Sequence, residues 1–224
     1  MLPSLAHVES WIFDLDNSLY PHTSNLFELI DVRMGAYIQR LLGVDAAEAR
    51  RVQKGFFHAH GTTLSGLMAN HGVDPHDFLD YVHDIDLARI AADPALVAAL
   101  DRLPGRKFVF TNASEDYARR VLDRLGLANA FDGMHDIHAM AYVPKPDPSG
   151  YAAICALHDI DPARALFADD MARNLAPAKA IGMTTLWVDN GSEQGPDAVM
   201  EDFIDYRTGD VAGWLHEILG EKAA

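Results

Sequence analysis

An apolar run, Trp11-Ile12-Phe13, ends in two carboxylates spaced two apart, Asp14 and Asp16. In an extended strand, residues i and i+2 share a face, so this pair leaves the strand pointing together. Two like charges held that close are costly, and a divalent cation or a proton carried by one of them relieves the repulsion. The pair therefore suggests metal binding or acid/base work, although a strand running out into a solvated acidic turn has the same letters. Three later stretches offer partners: Thr111-Asn112, Lys145 between Pro144 and Pro146, and Asp169-Asp170. Oxygen-only ligands suit Mg²⁺, which takes one or two carboxylates and keeps water or phosphate oxygens for the rest of its octahedron. Asp14 and Asp170 are the first choices as ligands, with Asp169 a third. A carboxylate beside Mg²⁺ can attack phosphorus, and a second carboxyl can serve as general acid and base. Lys145 and the Thr111 hydroxyl would then hold the phosphoryl oxygens.

These residues can meet only if the elements before them are neighbouring strands. Apolar runs at 11–14, 107–111, 131–137, 165–168 and 183–188 read as strands, with helical patterns between the later ones. That alternation predicts βαβ units and a parallel sheet, whose ligands bind at the carboxyl ends of the strands. Residues 21–100 read as helix throughout. Leu26, Leu29, Ile30, Met34, Tyr37, Ile38 and Leu41 step by three and four, and Gly43 and Gly72 supply helix stops. Asp45 with Glu48, Asp74-Pro75, Asp93-Pro94 and Asp147-Pro148 mark helix starts. The expected architecture is α/β, a Rossmann-like parallel sheet core from 1–20 and 101–224 with an all-helical cap, 21–100, inserted after the first strand. Val211, Trp214, Leu215 and Ile218 make a closing helix, and 190–207 gives no readable element.

Length and composition are those of a globular chain: 224 residues, 49% hydrophobic and 23% charged. A formal net charge of −15 opposes binding to a nucleic-acid polymer or an anionic membrane. A small phosphorylated substrate stays open, because one cation and one well-placed lysine can reverse the sign of a pocket. Cys155 is the single cysteine and sits in a helical run, so it reads as a packed thiol rather than a nucleophile. No internal disulfide is possible, and no run approaches the ~18 apolar residues of a membrane span. With no basic, apolar leader at the start, a soluble cytoplasmic setting is expected.

The set Asp14-Leu15-Asp16-Asn17-Ser18, Thr111-Asn112, Lys145 and Asp169-Asp170-x-x-x-Asn174 resembles the four motifs of the haloacid dehalogenase-like (HAD) phosphohydrolases, in order. The resemblance spans residues 9 to about 190. It implies that Asp14 is the nucleophile and Asp16 the general acid/base, the latter also giving its backbone carbonyl to Mg²⁺. It further implies that Thr111 and Lys145 bind phosphate, that Asp169 and Asp170 complete the metal site, and that Asn174 orients it. Ser18 stands where the family's phosphatases more often show Thr, and it keeps the hydroxyl. Dehalogenases of the family lack an acid at the position of Asp16, since a departing halide needs no proton. A helical cap directly after the first motif also fits the family.

Within the superfamily the chain is similar to the pyrimidine 5′-nucleotidases. The likeness lies in residues 13–21, in Gly61-Thr62-Thr63-Leu64-Ser65-Gly66-Leu67, and in Phe167-Ala168-Asp169-Asp170 with Asn174-Leu175. Thr62 and Thr63 would hydrogen-bond a base or ribose, or one of them caps the helix that follows. Asn112 is a further candidate substrate contact. Histidines at 22, 58, 60, 71, 76 and 83 have no zinc-site spacing and read as surface or cap-lining residues. Phe56 and Phe57 are stacking candidates of which one is expected in the core, and Arg173 reads as a solvated charge.

The expectation is a Mg²⁺-dependent phosphomonoesterase acting on pyrimidine nucleoside 5′-monophosphates. The alternatives are a phosphatase of a sugar phosphate or phosphoglycolate, a mutase, and a non-enzymatic phospho-accepting module. Receiver modules of that last kind carry no cap and no acid two residues after the nucleophile.

Overall fold

A computed structural model describes residues 1–192 and 202–220 of the chain. Six parallel strands, β1 (Ser10–Phe13), β2 (Arg106–Phe110), β3 (Gly133–His135), β4 (Ala165–Asp169), β5 (Thr184–Val188) and β6 (Tyr206–Thr208), form one sheet. Their order is β3-β2-β1-β4-β5-β6. Every residue of β1 and of β4 is buried, as expected for central parallel strands covered on both faces. In register, Ser10 lies opposite Arg106 and Ala165, and Phe13 opposite Val109 and Ala168. The chains therefore leave β1, β2 and β4 at the same edge, and the ladder continues one step further as Asp14 N–H donates to Ala168 O at 2.8 Å.

Between β1 and β2 come α1 (Leu26–Leu42), α2 (Ala46–His60), α3 (Thr63–His71), α4 (Pro75–His83) and α5 (Pro94–Arg102). The aspartates read as helix starts act as such. Asp45 accepts from Glu48 N–H, Asp74 from His76 and Asp77 N–H, and Asp93 from Leu96 N–H. Glu48 does not close a reciprocal box; its carboxylate pairs with Arg51 one turn on. Helices α1, α2, α3 and α4 pack on one another, whereas α5 packs on α9 (Val211–Ile218). The sequence pattern groups residues 94–100 with the inserted helices, because helical periodicity says nothing about which layer a helix joins.

The three remaining helices, α6 (Glu115–Leu125), α7 (Pro148–His158) and α8 (Ala172–Ala180), connect the later strands. Phe110 meets Tyr151 edge-on at 5.0 Å and Phe167 at 5.7 Å, so α7 is keyed to β2 and β4 beneath the site. Strand β3 is shorter than the expected 131–137. The unreadable stretch 190–207 includes the start of β6, and residues 193–201 of it lie outside the described residues. Among the described residues no helix is long and apolar enough to cross a membrane.

Candidate active site

The edge reached by β1, β2 and β4 gathers the residues that the sequence singles out. Carboxylate oxygens of Asp14, Asp169 and Asp170 lie within 4.8 Å of one another, and all three residues are buried. Lys145, 1% exposed, enters from the loop before α7. Its Nζ donates to Asp14 Oδ1 at 2.7 Å, Asp169 Oδ2 at 2.6 Å and the Phe110 carbonyl at 2.9 Å. Ser18 ties the first and fourth strands' residues together: its hydroxyl donates to Asp14 Oδ2 at 3.0 Å and accepts from Asp170 N–H at 3.1 Å. The hydroxyl that stands in for threonine is thus in use. Asn174, in the first turn of α8, donates Nδ2 to both oxygens of Asp169 at 2.9 and 3.1 Å. Thr111 is fully buried, with Oγ1 accepting from Ala113 N–H.

The charges do not balance. One ammonium faces a buried cluster of three carboxylates, with Asp16 beside them. Burial alone would push the Lys145 ammonium down, but Asp14 and Asp169 hold it up, at about 12. Burial raises the Asp169 carboxyl against the pull of Lys145. Asp170 is raised well above the usual carboxylate range, by burial and then by the charges of Asp14 and Asp169. An all-carboxylate, buried donor set with uncompensated negative charge fits a hard divalent cation of the Mg²⁺ kind.

Asp16 is held differently. Its Oδ1 accepts from the Tyr20 hydroxyl at 2.5 Å and the Tyr117 hydroxyl at 2.9 Å. Burial, and secondarily the charge of Asp14, push its carboxyl up to about 6 against those two hydrogen bonds. Neither tyrosine is a sequence candidate. Tyr20 is the fourth residue after Asp16, within one turn, a spacing visible in the sequence; Tyr117 is 101 residues away and gives no such signal.

The cavity over this edge is lined by the core residues above and by Phe27, Ile30, Met34, Phe57, Phe78 and Leu79 from α1, α2 and α4. Thr62 and Thr63 line it too. Thr62 Oγ1 accepts from Ser65 N–H at 3.1 Å, so it is the helix cap of α3, and Thr63 Oγ1 donates to the Gln53 carbonyl at 3.4 Å. The rest of that motif also has structural work. Gly61 ends α2 with φ 82°, and a Cβ on Gly66 would lie 2.4 Å from Phe56, so only glycine lets α3 approach α2. Phe56 is therefore the packed member of its pair and Phe57 the cavity-facing one. Asn112 lines the cavity, yet both ends of its amide hold the Lys145 backbone: Oδ1 accepts from the N–H at 2.8 Å and Nδ2 donates to the carbonyl at 3.3 Å.

Arg173 is exposed, as expected of a solvated charge, and it also donates to the Gly61 carbonyl at 3.3 Å and lies 4.9 Å from the Phe57 ring centroid, joining α8 to the inserted helices. Among the described residues no histidine belongs to a group able to hold a metal. His83 is instead buried, and burial pushes it down to about 3. The Cys155 thiol is pushed up to about 11, by burial and then by Asp161, which keeps it unreactive.

A family model described as haloacid dehalogenase-like hydrolase matches residues 11–182. Phosphate metabolism protein 8 of Saccharomyces cerevisiae is 28% identical over 191 residues, 77% of this chain and 59% of that protein. The chain thus spans less than two thirds of the yeast protein's length. A phosphoglycolate phosphatase of Mesorhizobium japonicum is 26% identical over 212 residues, 86% of this chain and 90% of that one. In fold, the chain is similar to a HAD phosphatase from Thermococcus onnurineus at TM-score 0.63 and 18% identity, covering 97% of this chain and 100% of the other. It is also similar to an L-2-haloacid dehalogenase from Xanthobacter autotrophicus at 0.56 and 15%, covering 96% and 99%. With the family model spanning most of the chain and the carboxylate cluster at its strand ends, the chain belongs to the haloacid dehalogenase-like hydrolases.

Proposed function

We propose that the protein is a Mg²⁺-dependent phosphomonoesterase working through an aspartyl-phosphate on Asp14. The observation that carries this is Asp16, two residues beyond Asp14, lining the same cavity and held by two phenols. A phosphate ester needs a proton for its departing oxygen and a halide does not, so this carboxyl favours phosphatase over dehalogenase. In the first step an Asp14 oxygen bonds to phosphorus as the ester P–O bond breaks, and the departing oxygen takes the Asp16 proton. In the second step Asp16, now a carboxylate, takes a proton from water as that water attacks phosphorus, which frees phosphate and restores both residues. Lys145 and Thr111 hold the phosphoryl oxygens through both steps. Asp14, Asp170, Asp169 and the Asp16 carbonyl would hold Mg²⁺, which supplies positive charge to the phosphoryl group when bound. Asn174 orients Asp169 within that set.

The inserted helices serve as a cap that selects the substrate, and the favoured substrate is a pyrimidine nucleoside 5′-monophosphate. Support comes from the Gly61–Leu67 likeness and from a ceiling of aromatic and aliphatic side chains, which suits the face of a base. A second reading, a small acidic ester such as phosphoglycolate, is supported by the relative of that name and by Arg173 and Lys54 on the cavity wall. A reducing cytoplasm is the setting that a lone, unreactive Cys155 supports.

The test is turnover of a generic aryl phosphate by the purified protein with and without Mg²⁺, followed by a panel of nucleotides, sugar phosphates and phosphoglycolate at equal concentration. Mg²⁺-dependent release of phosphate, lost in Asp14→Asn, is expected, with pyrimidine nucleotides ahead of purine ones. Absence of any turnover sinks the enzyme reading, and equal rates on both nucleotide classes sink the narrower one.

A further inference from the structure

We infer that Tyr20 and Tyr117 are positioning residues for the acid step: together they occupy one oxygen of Asp16 and turn the other, Oδ2, toward the leaving group. This rests on the phosphatase reading above and adds to it the device that aims the proton. Oδ1 accepts from both phenols, whose own oxygens lie 3.5 Å apart, while Oδ2 has no hydrogen-bond partner among the described residues. Asp16 lines the cavity beside Asp14, and with Oδ1 engaged by both phenols Oδ2 is the carboxyl oxygen left for a substrate. In a carboxylic acid the carbonyl oxygen is the better acceptor, and two donors on Oδ1 give it that role and leave the proton to Oδ2. Both tyrosines are buried and stay phenolic, so both remain donors.

The pair is itself held. Tyr20 sits in the turn that leaves β1, four residues after Asp16. Tyr117 lies in the first turn of α6, with the His83 ring stacked on it at 4.3 Å and 15° between planes. His83 Nδ1 is 2.9 Å from the hydroxyl of Ser114, the residue before α6, and Arg120 of the same helix donates to the carbonyls of His83 and Ile85. The last turn of the inserted α4 is thus strapped to the helix that presents Tyr117 to Asp16. The Tyr117 ring, stacked on His83 in this way, cannot swing its hydroxyl away without unstacking.

The experiment uses full-length wild type, Tyr117→Phe and Tyr20→Phe, saturated with Mg²⁺, on a simple alkyl phosphate and on 2,4-dinitrophenyl phosphate. The alkyl oxygen needs the proton at the moment of departure and the dinitrophenolate does not. In each variant kcat/KM for the alkyl ester is expected to fall about ten- to a hundredfold while that for the dinitrophenyl ester changes by less than about twofold. The ratio of the two is unaffected by what fraction of a sample is folded, so a poorly folding variant still reports. Equal losses on both esters, or no loss on either, overturn the proposal. Wild type that turns over neither ester overturns instead the phosphatase reading beneath it.

Discussion

The strand-end edge and the inserted helices that face it across the cavity are built on opposite plans. At the edge Lys145, Asp169 and Asp14 are each pinned by more than one partner: Lys145 by three oxygens, Asp169 by Lys145, Asn174 and the Met171 N–H, Asp14 by Lys145 and Ser18. On the helical side the cavity wall is mainly apolar, and Thr62, a polar residue on it, is occupied with holding a helix end. The lesson is a division of work. In the phosphatase proposed above, bond-making would fall to groups fixed to a fraction of an ångström at the strand ends, and substrate choice to a shaped surface that tolerates change.

The strand-end edge depends on its one buried ammonium, which holds two of the carboxylates. Lys145 is the only buried Lys or Arg among the described residues, and Lys145→Met leaves the carboxylates of Asp14 and Asp169 facing one another without it. Activity is expected to vanish, and stability in metal-free buffer to fall by about 3–5 kcal/mol, the usual effect of orphaning a buried charge. Urea denaturation with and without Mg²⁺ checks this, with the cation restoring part of the loss by binding only the folded state. A variant as stable as wild type without metal would show that the edge is not held by its ion pairs.

The same division explains which parts were legible in the sequence. Asp14, Asp169 and Asp170 are legible because an apolar run marks a strand and a strand marks its carboxyl end, and period two adds Asp16 on the face of Asp14. Lys145 was readable from its chemistry and its flanking prolines. Asn112 lies at the edge that its position after the second strand implies, but nothing in the letters shows that its amide clamps the Lys145 backbone. Tyr117 and His83 were out of reach for a different reason: their roles come from the docking of α4 on α6, a tertiary contact with no local pattern. Strand β6 escaped because three residues, one of them Arg207, are too few to show alternation on a sheet edge. The placement of α5 against α9 escaped because its amphipathic stripe fits either layer.

A milder probe acts on the seam between the two regions. The His83 imidazole is pushed from 6.5 down to about 3, by burial first and then by the charges of Arg120 and His138. Below pH 6.5 the unfolded chain takes up a proton that the folded one refuses, so stability is fully present above 6.5 and is lost progressively as pH falls toward 3. Between pH 7 and pH 5 this group alone removes about 2 kcal/mol. His83→Gln, which has no proton to take up, is expected to show a flatter decline of urea stability over that range. Identical slopes for the two proteins would mean that the seam opens to water.

At Thr62 the helical frame borders the cavity directly. The Oγ1 of Thr62 accepts from Ser65 N–H and lies 2.8 Å from the Ser65 hydroxyl, so its hydrogen-bonding capacity is engaged within α3 although the residue borders the cavity. Thr62→Ala should therefore cost about 1 kcal/mol of stability and Thr62→Ser only a few tenths, because serine keeps the cap. Both should leave the ratio of KM for a pyrimidine nucleotide to KM for an aryl phosphate changed by less than about twofold, since a helix cap acts on the frame and not on the ligand. A ratio that rises in Thr62→Ala and recovers in Thr62→Ser would instead move this hydroxyl from the frame to recognition, because only a group that touches the nucleoside can distinguish the two substrates.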